Sequence, residues 1–285
     1  MYKINSLINT DIEVAAYQKR LSICLRSDGF SFWTVKLPTV QQGVLTAEQL
    51  LSSGDITLDL KGSIVELSSG IKSALSDAGV DPFAFKSIEL ILPSSHFVWI
   101  PSHLFQYGQE RQYLAFLEDS RSNALYGTMG YYNCESQVLG STLVFAANST
   151  VVTAMKIALP GVQITSPACK LVDAGLLQRS ATHPLILMYV EQGQVLYSAF
   201  KNGQLQISTS KPFSQQSELL YGTLELMKDI DFENDSLELL ICGQVDRQVY
   251  ALLRNYFPVV DLYCGPVRQL GTPELQHRPA YQYPF

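Results

Sequence analysis

The chain has 285 residues, of which 47% are apolar, so it is long enough to bury one large core or two moderate ones. Charged residues make up only 16% and the net charge is −6, which excludes disorder as the main state, because disorder needs low hydrophobicity and high charge. The acidic balance also argues against nucleic-acid binding, which needs a basic face that releases counterions.

The cysteine pattern and the N-terminal residues indicate a compartment. Five cysteines lie at wide intervals, and their spacing matches neither a zinc ribbon nor a disulfide framework. Residues 1–20 lack the apolar stretch of a signal peptide, and the longest apolar run is far shorter than the roughly 20 residues that span a bilayer. These features predict a soluble, cytoplasmic protein with no membrane insertion.

The first third of the chain predicts a β-hairpin followed by a helix and a buried strand. Apolar and polar residues alternate over residues 21–36 on both sides of Asp28-Gly29, which predicts a hairpin with these two residues as its turn. The elements expected after it are a loop with one short helix at 38–54, a strand at 55–60, a helix at 62–78 and a buried strand at 87–92.

The middle of the chain predicts shorter elements, and aromatic residues are frequent among them. Ser149 has the residue type that caps a helix, and it directly precedes an apolar helical pattern. The elements expected here are strands at 96–100, 131–138, 141–147 and 162–165 and helices at 110–119, 149–159 and 168–178.

The opening pattern returns at residue 184. Residues 184–210 predict three strands joined by turns at Gln192-Gly193 and Asn202-Gly203, and Asn-Gly is the preferred pair for a type I′ turn. The elements expected after them are a helix from Ser214 to Ile230, a buried strand at 237–241, a helix at 247–256, a strand at 259–262 and an extended tail at 266–285.

The order β-β-β-α-β therefore occurs twice, starting near residues 21 and 185. Three meandering strands, a helix and a buried strand form a mixed sheet with helices packed on it. The sequence thus predicts an α/β protein that is built from two duplicated units and has two lobes.

This layout resembles the actin-like ATPase superfamily, also called the duplicated ribonuclease H-like fold. It is most similar to the PilM-type pilus-assembly proteins, where a small subdomain follows the strand that ends the first unit, as SIELILPSSHFVWIPSHLF suggests here. The segment LSICLRSDGFSFWTV resembles an uncharacterised Bacteroidetes family, the domain of unknown function 3822. The resemblance implies a first lobe at 15–183 with an inserted subdomain at about 94–140, and a second lobe at 184–265.

The resemblance also implies where a nucleotide would bind. In active members, the first hairpin turn of each lobe grips phosphates with backbone amides, and an Asp holds Mg²⁺, in a pattern close to Asp-x-Gly-x-Thr. The matching positions here are Asp28 and Gly29 in the first lobe and Glu191 and Gly193 in the second. Gly243 matches one glycine of the pair that approaches the adenosine.

The first turn departs from this pattern in either alignment. If Gly29 takes the place of the family glycine, Ser27 stands at the Asp position. If Asp28 is the metal-facing Asp, Phe30 stands at the glycine position. Both alignments therefore lose one of the two groups that a phosphate turn needs.

The second lobe departs from the pattern as well. Glu191 is one carbon longer than Asp, and Val195 replaces the hydroxyl residue. Cys242 replaces the first glycine of the adenosine pair, and its Cβ lies where the backbone must approach a ligand closely.

Three functions stay open. The degenerate turns favour a non-catalytic scaffold or protein-interaction module that has no catalytic residue, metal or cofactor and an unidentified protein partner. One alternative is an ATPase or sugar-kinase-like phosphotransferase that binds Mg-ATP through Asp28 and Glu191. The other is a binder of a different small ligand in the cleft between the lobes.

Overall fold

The computed structural model describes residues 19–37, 40–41, 44–45, 49–115, 129–177, 183–191, 193–232, 237–243, 245 and 247–262. The chain divides into two compact units. Unit 1 is Met1–Leu92, Tyr126–Gly130 and Ala147–Ile164, and unit 2 is Pro93–Leu125, Tyr131–Ala146 and Thr165–Phe285. The tail expected at 266–285 lies outside the described residues.

The secondary structure alternates short runs of strands with single helices. The strands are β1 (Lys19–Arg26), β2 (Gly29–Lys36), β3 (Val40–Gln41), β4 (Val44–Leu45), β5 (Gln49–Thr57), β6 (Ser87–Ile91), β7 (Phe97–Pro101), β8 (Met129–Ser136), β9 (Ser141–Asn148), β10 (Gln163–Thr165), β11 (Leu185–Glu191), β12 (Gln194–Lys201), β13 (Gln204–Pro212), β14 (Glu238–Gly243) and β15 (Val259–Leu262). The helices are α1 (Ile64–Asp77), α2 (Glu110–Leu114), α3 (Ser149–Ala158), α4 (Pro167–Leu177), α5 (Gln216–Asp229) and α6 (Arg247–Tyr256).

Unit 1 contains a five-stranded sheet in the order β10-β6-β1-β2-β5. Strand β1 is antiparallel to β2 and parallel to β6, and β2 is antiparallel to β5. Every residue of β2 except the last is buried, so the sheet is covered on both faces. Helix α1 begins at a capping box between Ser63 and Glu66 and packs against α3.

Unit 2 contains a second five-stranded sheet, in the order β13-β12-β11-β14-β15. It repeats the first sheet, because its first strand pairs antiparallel with the second and parallel with the fourth. Helices α5 and α6 pack with β11, β12 and β14 in one apolar core, and α4 packs on β11, β12 and β13. The duplicated order that the sequence predicts is therefore confirmed.

The inserted segment forms a three-stranded sheet in the order β7-β9-β8. The chain enters it after β6 and leaves it at α3, so it interrupts the first repeat as the resemblance implies. Most of the insertion groups with unit 2, and the Ser210 hydroxyl donates to the carbonyl of Ser95 at 2.9 Å. The sequence grouped it with the first lobe, and the lobe boundaries stay a prediction.

The first hairpin differs from the sequence prediction by one residue. Arg26 pairs with Gly29, so the two-residue turn is Ser27-Asp28 and not Asp28-Gly29. Gly29 is instead the first residue of β2. A Cβ added at this position would overlap the carbonyl oxygen of Ile56 in β5, so the position requires glycine. The turn at Asn202-Gly203 is confirmed, and its φ angles of 53° and 70° are those of a type I′ turn.

The third strand of unit 1 begins earlier than the sequence predicts. Strand β5 starts at Gln49, and the described residues between 38 and 54 contain strands and no helix. The polar stretch around Gly54 is typical of a loop, but pairing with β2 decides its structure. A Cβ added at Gly54 would lie 2.8 Å from the ring of Phe32, so a larger residue there would have to displace that ring.

Two helix caps also differ from the prediction. Asn148 caps α3 in place of Ser149, because its side chain accepts from the backbone amides of Thr150 and Val151 at 3.0 and 3.2 Å. Helix α5 begins after Gln215, while the amide of Ser214 donates to the Glu218 carboxylate at 2.6 Å. In the described part of the chain, no helix combines the length and the apolar character needed to cross a membrane.

Candidate functional site

The two first hairpins have the same geometry, which defines equivalent positions in the two units. Arg26 pairs with Gly29 at the end of β1, and Glu191 pairs with Gln194 at the end of β11. Both pairs enclose a two-residue turn. Arg26 is therefore the counterpart of Glu191, and Asp28 is the counterpart of Gly193.

This equivalence replaces both alignments that the sequence allows for the first turn. If Glu191 stands at the Asp position of the Asp-x-Gly pattern, the same position in unit 1 holds Arg26, and Asp28 stands at the glycine position. The two strand ends thus carry opposite charges. Arg26 could not be found from the Asp-x-Gly pattern, because that pattern considers only Asp and Gly residues in the turn.

Arg26 holds the first turn through two carboxylates. Its side chain is only 5% exposed, and its Nε and Nη2 lie 2.9 Å from Oδ1 of Asp28. Its Nη1 donates to Oδ1 of Asp55 at 3.0 Å, and the Ser31 hydroxyl donates to the same oxygen at 2.7 Å. Because Asp55 lies on β5, this network connects the turn to the third strand.

Backbone contacts close the first turn as well. The amide of Leu58, just after β5, donates to the carbonyl of Asp28 at 2.9 Å. Gly29 has a φ of 145° and lies against the backbone of Ile56. The glycine is therefore required by the approach of β5, whether or not a ligand binds.

The second turn uses a different set of contacts. The Tyr189 hydroxyl donates to Oε2 of Glu191 at 2.6 Å. Gly193 has a φ of 72°, and its carbonyl accepts from the amide of Phe213, just after β13, at 2.9 Å. Val195, at the hydroxyl position of the family pattern, is 1% exposed and belongs to the apolar core of unit 2.

Gly243 lies at the end of β14, beside the end of β11. It pairs with Val190, has a φ of 87° and is so close that an added Cβ would overlap the carbonyl oxygen of Val190. The preceding Cys242 is fully buried, and its thiol donates to the carbonyl of Met188 at 3.3 Å. The contact between two strands thus accounts for the glycine at this position.

The structure brings three of the five expected site residues together. Glu191, Gly193 and Gly243 lie at the carboxyl ends of β11 and β14, which are adjacent parallel strands of unit 2. Asp28 and Gly29 lie in the first hairpin of unit 1. Carboxyl ends of neighbouring strands are where ligands bind in open α/β sheets.

The residues of the first turn do not fit a magnesium nucleotide bound in the way the resemblance implies. A divalent cation on the Asp28 carboxylate would lie roughly 5 Å from the guanidinium of Arg26, and the repulsion is about 2 kcal/mol even at the dielectric constant of water. Among the described residues, no group of three or more His, Cys, Asp or Glu side chains could hold a metal.

The fold and the paired turns define a class of protein, the actin-like ATPase fold. A protein of Bacteroides thetaiotaomicron with this fold and unknown function has a TM-score of 0.68 to the chain at 17% identity, and the similarity covers 93% of this chain and 96% of that one. The chain belongs to the family described as "Protein of unknown function (DUF3822)", which matches residues 9–260. The fold and the family that the sequence suggested are both confirmed.

Two further solved structures match the chain at lower TM-scores. One is a PilM-PilN type IV pilus biogenesis complex, with a TM-score of 0.46 at 12% identity, covering 90% of this chain and 91% of that one. The other is the cytoplasmic domain of EpsL, an inner membrane component of the type II secretion system of Vibrio cholerae, with a TM-score of 0.40 at 11% identity, covering 80% and 84%. No curated protein matches the sequence.

Proposed function

We propose that this protein is a non-catalytic scaffold or protein-interaction module that keeps the actin-like fold and has a degenerate nucleotide site. One observation carries the proposal. Arg26 stands at the strand end where unit 2 has Glu191, and it is paired with Asp28 at 2.9 Å. A phosphate turn that depends on a metal-facing carboxylate has its charge reversed at this position.

The surroundings of Arg26 support a permanent role in the turn. The guanidinium is buried and contacts the side chains of Asp28, Ser31 and Asp55. Charge-assisted hydrogen bonds are about twice as strong as neutral ones, and these hold groups from three strands. The positive charge beside Asp28 and Asp55 is therefore supplied by the chain itself, without a metal ion.

The surface of unit 1 supports the interaction part of the proposal. A hollow of about 520 Å³ lies beside the end of α1, and its walls are largely apolar. Phe83 on its rim is 81% exposed, and Ile157 is 47% exposed. Exposed aromatic and aliphatic side chains around a concave surface are typical of protein-binding sites.

We also place the protein in the cytoplasm as part of this proposal. Four of its cysteines, Cys24, Cys134, Cys169 and Cys242, are free thiols. Reduced thiols are usual in the cytosol, where glutathione and thioredoxin keep them reduced.

A titration with magnesium nucleotides tests the proposal. A ligand present at a hundred times its dissociation constant stabilises a fold by about 2.7 kcal/mol, which is readily seen as a shift in thermal unfolding. We expect no shift and no heat of binding with Mg-ATP, Mg-ADP or Mg-GTP at millimolar concentration.

Variants distinguish the other outcomes of this titration. A shift that disappears in Asp28→Ala or Glu191→Ala, but persists in the exposed control Asp59→Ala, overturns the proposal and establishes an ATPase-type site. A shift that persists in all three variants also overturns it, in favour of a small-ligand site that does not use these carboxylates.

A further inference from the structure

The hollow beside the end of α1 forms where two packed helices of unit 1 stop. Helix α1 ends at Asp77 and α3 ends at Ala158, and the two helices pack against each other. Gly79 has a φ of 71°, and the amide of Val80 donates to the carbonyl of Leu75 at 2.8 Å. This turn is a Schellman motif, which ends α1. The residues that follow it line the hollow together with the end of α3.

Most of the side chains that line the hollow are apolar. Phe83 lies in the 3₁₀ turn Pro82–Ala84, and both its ring and the side chain of Ile157 are exposed. The volume of about 520 Å³ falls in the range of roughly 300–1,000 Å³ that is usual for small-molecule sites. A ligand with an apolar body would remove these side chains from water, which favours binding. The apolar walls are formed by Val80, Pro82, Phe83, Ile157, Ala158 and Pro160.

The polar side chains of the hollow favour an anion. Lys72 and Ser76 lie one turn apart on α1, so they share a face of the helix with their Cβ atoms about 5–6 Å apart. The Lys72 ammonium and the Ser76 hydroxyl have no hydrogen-bond or ion-pair partner among the described residues. Asp81 also lines the hollow, but its carboxylate already accepts from the amide of Phe83 at 3.0 Å. The donors that remain suit a carboxylate, which an ammonium and a hydroxyl can bind together.

We propose that this hollow binds a small amphipathic carboxylate, such as a medium-chain fatty acid. Lys72 and Ser76 hold the carboxylate, and the alkyl chain lies against Phe83 and Ile157. An exposed ammonium alone binds a small polar anion weakly, so burial of the alkyl chain supplies most of the affinity. The inference goes beyond the proposed function and does not depend on it, because neither hairpin turn lines the hollow.

A calorimetric titration of the full-length protein with decanoate, below the concentration at which it forms micelles, tests the proposal. We expect saturable binding at one site. The affinity should rise from hexanoate through octanoate to decanoate, because each methylene that leaves water strengthens binding by up to about fourfold. Decanol and decyltrimethylammonium carry the same chain without the carboxylate. Both should bind about fivefold more weakly, which is the upper range for the contribution of an exposed ion pair.

Substitutions of exposed side chains locate the site without disturbing the core. Lys72→Gln and Phe83→Ala should each weaken the binding of decanoate by about fivefold. Asp81→Asn should preserve or strengthen it, because a negative charge near the carboxylate is removed. Val65→Ala and Lys86→Gln are the matched controls, since both replace exposed residues outside the hollow, and they should bind decanoate as the wild type does.

Four results would overturn the proposal. They are no binding of decanoate, equal binding of decanol, tighter binding of decyltrimethylammonium, and binding of decanoate that Lys72→Gln and Phe83→Ala leave unchanged. The third result would assign the hollow to a cation beside Asp81, and the fourth would place the fatty acid elsewhere on the chain. None of them bears on the degenerate nucleotide site, and nucleotide binding at the hairpin turns would not refute the fatty-acid site, so the two failures are distinguishable.

Discussion

Replacing Arg26 with alanine tests the contacts on which the proposed function depends. The substitution removes a guanidinium that is 5% exposed and bridges Asp28 and Asp55. We expect the turn to lose the side-chain bridge that runs from Asp28 through Arg26 to Asp55, while the backbone bond from Leu58 to Asp28 remains.

The expected loss is smaller than for a fully buried ion pair. Breaking a buried pair typically costs about 3–5 kcal/mol, because the remaining charge is left without a partner. Here the carboxylates of Asp28 and Asp55 are 45% and 39% exposed, so water solvates them once the arginine is gone. Each lost charge-assisted hydrogen bond and the buried methylenes of the arginine still contribute, which gives about 2–3 kcal/mol.

The two tryptophans make this loss measurable for unit 1 alone. Trp33 is 2% exposed in β2, and Trp99 lies on β7 in unit 2. In a Trp99→Phe background, Trp33 is the only tryptophan that remains. Urea unfolding followed by its fluorescence therefore reports the free energy of unfolding of the sheet that carries Arg26.

Control variants separate the ion pair from general damage. Arg26→Lys keeps the charge but not the planar fork, so an intermediate loss is expected. Lys72→Ala removes an exposed charge from α1 and should change the free energy of unfolding by less than about 0.5 kcal/mol. The reasoning is refuted if Arg26→Ala costs less than about 0.5 kcal/mol, or if its cost is unchanged in a variant that also carries Asp28→Ala and Asp55→Ala.

Two further predictions concern a glycine and a buried tyrosine. Gly29→Ala should destabilise unit 1 by about 3 kcal/mol or more, because the added Cβ would overlap Ile56. The control Gly79→Ala should cost about 1 kcal/mol, because Gly79 has a φ of 71° but open space around it. Equal losses of the free energy of unfolding, measured by Trp33 fluorescence, would contradict the account of the turn. Burial raises the pKa of Tyr197 to about 12, so its phenol contributes stability that is fully present below its ordinary pKa of about 10 and is lost as the pH rises through 12. Tyr197→Phe should therefore show a shallower loss of the urea midpoint between about pH 10 and pH 12 than the wild type, and identical slopes would argue against this origin.

The repeated topology could be predicted from the sequence because local signals determine it. The Asn202-Gly203 turn needs two positive φ angles, and the stripe of α1 repeats at helical spacing. The start of strand β5 was predicted too late because the polar run Ser52-Ser53-Gly54 interrupts it, and only the pairing with β2 makes this run part of a strand. A pattern confined to one segment contains no information about a partner strand.

The site residues were harder to predict, because their contacts join distant parts of the chain. Asp55 on β5 reaches Arg26 across 29 residues, and Ser31 on β2 donates to the same Asp55 oxygen. One local signal was available and was missed. The spacing Arg26-x-Asp28 at a hairpin turn indicates an ion pair that occupies the carboxylate.

The duplication explains how both hairpins can persist without a nucleotide. In each unit the residue just after the third strand donates its amide to the turn, as Leu58 does to Asp28 and Phe213 does to Gly193. The turns are therefore closed by their own sheets and need no phosphate to hold their shape. Selection for the fold alone would retain these glycines and backbone bonds, while the residue at the strand end could change from a carboxylate to Arg26. The glycine turns are thus weak evidence for nucleotide binding by this chain, and the charge at the strand end is the more informative feature.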